Sequence, residues 1–202
     1  MVWLIVAIAV WGLIHSWLAS LAWKDFLRRR LGEVFLKSYR LLYNLFAALS
    51  FLPVFFLLVS LPDRLLYRVP PPCRYIMWAG QGLSVLLLFI AVLQTDLLAF
   101  AGLRQLGQEE GSDDLVTGGL YRLVRHPLYT FSLAFLWLSP SVTLNSFVVY
   151  VALTLYILIG IIFEERKLLR VFGQKYAEYC SVTPMLIPGI RKAGTINFPG
   201  SS

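Results

Sequence analysis

The stretch LLYNLFAALSFLPVFFLLVSL, residues 41–61, carries no charged side chain. A helix rises about 1.5 Å per residue, so this segment can cross the roughly 30 Å hydrocarbon core of a bilayer. Similar stretches lie on either side at about 2–20 and 75–95, and two shorter ones follow at about 124–141 and 146–163. Of the 202 residues, 58% are apolar and 14% charged, whereas soluble domains carry about a quarter charged residues. These values exclude a disordered chain and argue against a soluble enzyme with a polar surface. The expected fold is an all-α integral membrane protein of about five transmembrane helices, one domain over 1–188, with a disordered tail over 189–202.

The last two apolar stretches read as arms of a helical hairpin that turns at Ser139-Pro140-Ser141-Val142-Thr143-Leu144-Asn145-Ser146. No Lys or Arg precedes the first apolar run, so it reads as a retained span rather than a cleaved leader. Fifteen basic residues fall on one side of the spans, against Arg64, Arg68 and Arg74 on the other. By the positive-inside rule the N-terminus lies outside and the C-terminal segment in the cytoplasm, of the plasma or inner membrane in a bacterium. Residues 96–123 become a cytoplasmic loop with a short interfacial helix at Leu97–Leu106. The net charge of +7 lies beside apolar stretches rather than on one basic stripe, so the partner is a lipid bilayer and not nucleic acid. Cys73 and Cys180 are too few and too far apart for a disulfide framework or a metal knuckle, and no metal site is expected.

Two polar constellations carry chemistry. One is Tyr121-Arg122-Leu123-Val124-Arg125-His126-Pro127-Leu128-Tyr129; the other, Glu164-Glu165-Arg166-Lys167, ends the second hairpin arm. Residue 145 is the midpoint of 126 and 164, so a hairpin folded there brings His126 and Glu164 to one depth at the cytoplasmic mouth. Taken singly, these are interfacial residues with snorkelling Arg and neutralising Glu–Arg pairs. Together, a carboxylate pair at the end of an apolar helix calls for a partner or a function. Pro127 suits the first turn of a helix whose free amides receive an anion. His15 in span one, and Tyr39, Arg40, Tyr43 and Asn44 opening span two, lie in the same leaflet and suggest a cavity open to the cytosol. Gly80-Gln81-Gly82 reads as close helix packing, not a dinucleotide fingerprint.

The segment Arg125-His126-Pro127-Leu128-Tyr129, the arm ending Glu164-Glu165, then Phe172-Gly173-Gln174-Lys175-Tyr176-Ala177-Glu178-Tyr179 and Pro184-Met185-Leu186-Ile187-Pro188 resemble the isoprenylcysteine carboxyl methyltransferase superfamily. His15-Ser16, Tyr39-Arg40-Leu41-Leu42-Tyr43-Asn44 and Phe100-Ala101-Gly102-Leu103-Arg104-Gln105 look like the branch containing methanethiol S-methyltransferases and NnrU-like proteins. One departure is Thr130-Phe131-Ser132, where many relatives have a Gly soon after the tyrosine.

The resemblance implies an S-adenosylmethionine-dependent methyltransferase acting on a small or lipophilic acceptor, by preference a thiol; a prenylcysteine carboxylate or an amino-lipid stays open. Arg125, His126 or the helix start at Pro127 would take the cofactor carboxylate. Glu164 or Glu165 would take the ammonium or ribose hydroxyls, and Tyr129, Tyr176 and Tyr179 the adenine and sulfonium. His15, Tyr39, Arg40, Tyr43 and Asn44 would shape the acceptor pocket, with Arg40 or Arg125 steadying a thiolate and His15 taking its proton. The alternative from another class is a non-enzymatic NnrU-like membrane factor, with haem held by His15 and His126.

Overall fold

The computed structural model describes residues 2–95 and 115–190. Helix α1 runs Val2–Ala19, α2 Leu21–Ser60, strand β1 Leu65–Arg68 and α3 Cys73–Gln94. A single 3-10 turn at Gly119–Arg122 leads to α4 (Pro127–Trp137), β2 (Ser141–Thr143), α5 (Leu144–Phe172) and α6 (Gln174–Val182). The expected interfacial helix at Leu97–Leu106, the Phe100–Gln105 motif and the tail from residue 191 onward lie outside the described residues.

Four helical segments among the described residues are long and apolar enough to cross a membrane: Val2–Ala19, Leu41–Ser60, Cys73–Gln94 and Leu144–Phe172. Leu13, Ile76, Phe56 and Phe163 are each largely exposed, a pattern that lipid tolerates and water penalises. The protein is an integral membrane protein of helical architecture. The fifth apolar stretch forms only the eleven-residue α4, about 16 Å of helix and roughly half a hydrocarbon core.

The chain enters α2 at Ser20, whose hydroxyl accepts from the Trp23 amide at 3.2 Å. Gly32 then breaks the helix with φ 78° and ψ 174°, a conformation a side chain disfavours. The residues before it, among them Lys24, Arg28, Arg29 and Arg30, thus form a separate basic helix ahead of the span.

Where α1, α2 and α5 meet, Leu4, Ile8, Val54 and Val149 form an apolar core. These residues sit near the start of α1, the end of α2 and the start of α5, so this core seals one half of the bundle. α3 and α4 pack as a second pair. A Cβ on Gly80 would stand 2.9 Å from Leu138 Cδ1, so Gly80 permits close approach as expected, whereas one on Gly82 would meet nothing within 4 Å.

The expected turn of the hairpin is a short ladder instead. β2 pairs antiparallel with β1, aligning Tyr67 with Val142 and Arg68 with Ser141. Its ends are extended by Val69 N–H to Pro140 O and Leu144 N–H to Arg64 O, each at 2.8 Å. Thr143 and Ser146 then cap α5 reciprocally. Asn145 is fully buried and donates its side-chain amide to the Leu61 and Pro62 carbonyls, while its backbone N–H donates to Asp63. The hairpin arms are unequal, and the turn at Leu138 with strand β2 (Ser141–Thr143) follows α4 where further helix was expected. Residues 126 and 164 still meet, as the midpoint arithmetic expects.

Candidate functional site

Arg125 and His126 precede α4, with Pro127 at its first position. Their backbone is strapped down by the C-terminal segment: Arg125 N–H donates to Pro184 O at 2.8 Å and His126 N–H to Met185 O at 3.2 Å. Thr130, which stands where many relatives have Gly, donates its hydroxyl to Leu186 O at 2.8 Å and so adds a third tie. The 3-10 turn just upstream is held by Gln94, whose Oε1 accepts from Leu120 N–H at 2.8 Å. A Cβ on Gly119 (φ 57°) would lie 2.3 Å from Gln94 Nε2, so only Gly serves there.

The two glutamates of α5 have different surroundings. Glu165 Oε1 receives Arg125 Nε at 2.8 Å and Nη2 at 2.6 Å, lies 3.2 Å from His126 Nε2, and accepts from the Tyr176 hydroxyl at 3.4 Å. Arg125 spends its remaining nitrogen, Nη1, on the Thr183 and Cys180 carbonyls, and its side chain is 11% exposed. Burial works against its charge, but the hydrogen bond and charge of Glu165 outweigh that and raise its pKa. Burial, and then the Glu165 charge, likewise raise Tyr176, so its phenol stays a neutral donor.

Glu164 is 43% exposed against 26% for Glu165. Its Oε2 accepts from the Tyr129 hydroxyl at 2.9 Å and lies 3.9 Å from His126 Nδ1. The His126 and Tyr129 rings stack with centroids 5.6 Å apart. Burial, and then the Glu164 charge, push the Tyr121 phenol up to about 12. Tyr176 and Tyr179 are buried beneath, the Tyr179 hydroxyl donating to the Tyr121 carbonyl.

A second tier lies inside the bundle. The His15 ring is held between two phenols, Nδ1 2.5 Å from the Tyr156 hydroxyl and Nε2 2.7 Å from that of Tyr43. Trp11 stacks on the same ring at 4.9 Å. Tyr39 donates to the Leu18 carbonyl at 2.7 Å and pins α2 to α1. Asn44 lies on α2, as does Arg40, whose side chain is outside the described residues.

The structure thus brings Arg125, His126, Tyr129, Glu164, Glu165, Tyr176 and Tyr179 into one cluster and His15 and Tyr43 into another. Tyr121 and Tyr156 are additional. Tyr121 belonged to a motif already singled out, whereas Tyr156 is one aromatic residue in an apolar run and gave no signal of its own. Both nitrogens of each histidine face phenols or carboxylates, so shared haem ligation would break these contacts. Two clefts, of about 300 and 420 Å³, lie elsewhere, one between β2 and α3 and one on the apolar face of α1 and α2.

A helical membrane protein with its polar chemistry gathered at one mouth and one interior tier is the class this architecture defines. Residues 3–191 match the family described as NnrU protein, and the chain belongs to that family. It is 35% identical over 119 residues to the methanethiol S-methyltransferase of Pseudomonas deceptionensis, covering 57% of this chain and 44% of the relative. It is 34% identical over 148 residues to methanethiol S-methyltransferase 2 of Bradyrhizobium diazoefficiens, covering 65% and 57%. To the methanethiol S-methyltransferase of Mycobacterium tuberculosis it is 26% identical over 189 residues, covering 91% and 76%. The chain thus spans about half the length of the first two relatives. No solved structure matches it. The branch read from the motifs agrees with these findings.

Proposed function

We propose that this protein is an S-adenosylmethionine-dependent membrane methyltransferase whose acceptor is a small thiol such as methanethiol. The observation that carries the reading is the pairing of a half-exposed carboxylate, Glu164, with an interior imidazole, His15, on one bundle. Such groups suit a cationic methyl donor and an acceptor that must lose a proton. The named relatives point to the same thiol chemistry.

The bound cofactor supplies an electrophilic methyl group on a sulfonium. Glu164 would hold its ammonium or ribose hydroxyls, and Tyr129 and Tyr121 would line the purine and sulfonium. Arg125 already commits four of its five N–H donors to Glu165, Cys180 and Thr183, so it serves the site mainly as a positioning group. With Glu165, Tyr176 and the strap it keeps His126 and Glu164 in place, as outer partners position a functional group. His15 Nε2 or Nδ1 receives the thiol proton, directly or through the hydroxyl of Tyr43 or Tyr156, because only the thiolate attacks well. Holding the two reactants in line supplies most of the rate. The site faces the cytoplasm and the N-terminus lies outside, with α4 completing a five-helix bundle.

Calorimetric titration of S-adenosylmethionine into detergent-purified protein tests the reading, followed by methanethiol turnover. Wild type binds saturably and releases dimethyl sulfide. Glu164→Gln weakens binding about tenfold, the worth of one charge-assisted contact. Well-folded wild type that binds no cofactor in lipid or detergent overturns the proposal.

A further inference from the structure

Tyr156, Gly160 and Glu164 recur every four residues on α5 and so share one helix face. Along the axis Tyr156 and Glu164 are about 12 Å apart, and Gly160 lies midway. Glycine is a poor helix former, so in a helix interior it usually answers a packing need. At Gly12 that need is visible, since a Cβ there would touch the Tyr156 ring at 3.5 Å. At Gly160 it is absent: a Cβ would meet nothing within 4 Å, although the residue is half-buried. Gly82 is equally unobstructed but faces outward, exposed on α3.

The groups around this gap are those of the two tiers. Above it stands Tyr156, bound to His15; below it stands Glu164, bound to Tyr129. We propose that the notch over Gly160 seats the methyl acceptor, and that its size restricts the acceptor to thiols of one or a few carbons. The inference rests on the thiol-methylation reading. In the notch the acceptor sulfur, as thiolate, forms a bond to the methyl carbon while that carbon's bond to the sulfonium breaks. The electron pair of the broken bond stays on the donor sulfur, and the thiol proton is left on His15. A methyl at residue 160 narrows the acceptor's place, a leucine side chain fills it, and both leave Glu164 untouched.

The test compares wild type, Gly160→Ala and Gly160→Leu by cofactor calorimetry and by methylation of methanethiol, ethanethiol and butanethiol. Both variants bind S-adenosylmethionine within about twofold of wild type. Gly160→Ala retains methanethiol turnover and loses the longer thiols by about tenfold or more, the scale of discrimination for one methylene in a fitted pocket. Gly160→Leu loses all three. Thiol selectivity unchanged in Gly160→Ala, or cofactor affinity lost with it, overturns the placement. A wild type that binds cofactor yet methylates no thiol sinks the thiol reading itself, a failure distinct from either variant's.

Discussion

Two adjacent glutamates, alike in sequence, have different surroundings. Glu165 is committed to Arg125, His126 and Tyr176, whereas Glu164 meets Tyr129 and solvent. Replacing Glu165 with Ala leaves the largely buried Arg125 charge without its carboxylate, a loss of about 3 kcal/mol. Thermal unfolding in detergent will show Glu165→Ala clearly destabilised and Glu164→Ala near wild type; equal effects refute the division of labour. The interior tier offers a second prediction at this scale. Tyr156→Phe takes one hydroxyl from His15, so turnover falls about tenfold, equivalent to 1.4 kcal/mol in the barrier, while cofactor affinity holds. Loss of cofactor affinity instead would assign Tyr156 to the donor side.

Among elements, the start of α5 depends on a residue far from it in sequence. Burial opposes ionisation of Asp63, yet hydrogen bonds from Thr143, Asn145, Arg64 and Leu144 hold its carboxyl below the usual range. It also places a negative charge at a helix N-terminus, where the dipole favours one. A carboxyl lowered in the folded state contributes stability that is fully present above its unfolded value, about 3.9, and is lost as pH falls through the folded value. Wild type is therefore more stable than Asp63→Asn near neutrality, and the gap closes below about pH 4. Unfolding midpoints of both proteins across that range check the sign. The β1–β2 ladder was not legible, because Leu65–Arg68 has no alternation and its partner lies more than seventy residues away. Its backbone groups pair because unpaired ones are costly next to a hydrocarbon layer.

For the molecule as a whole, apolar packing and polar chemistry occupy opposite halves of the α1–α2–α5 bundle. Leu4, Ile8, Val54 and Val149 seal one half, and His15, Tyr43 and Tyr156 line the other. The proposed orientation puts the sealed half, with the start of α3, on the outer side. Cys73 is exposed there and Cys180 is half-buried within α6. A membrane-impermeant maleimide added to intact cells therefore labels wild type and not Cys73→Ser. Labelling that appears only after the membrane is broken reverses the topology.

Apolar length and charge are local properties, so the sequence by itself determined where the long helices run. It also determined that polar groups collect at the mouth of the last pair: Arg125-His126 and Glu164-Glu165 each mark the end of an apolar stretch, and equal counting from the turn brings them together. Tertiary structure alone decided which glutamate is held and which is open, because Arg125, Tyr176 and the Pro184–Leu186 strap reach Glu165 from separate segments. It alone turned Tyr156 from one aromatic residue among many into the partner of His15. Those roles depend on what stands opposite a residue, and helices distant along the chain supply the opposite wall.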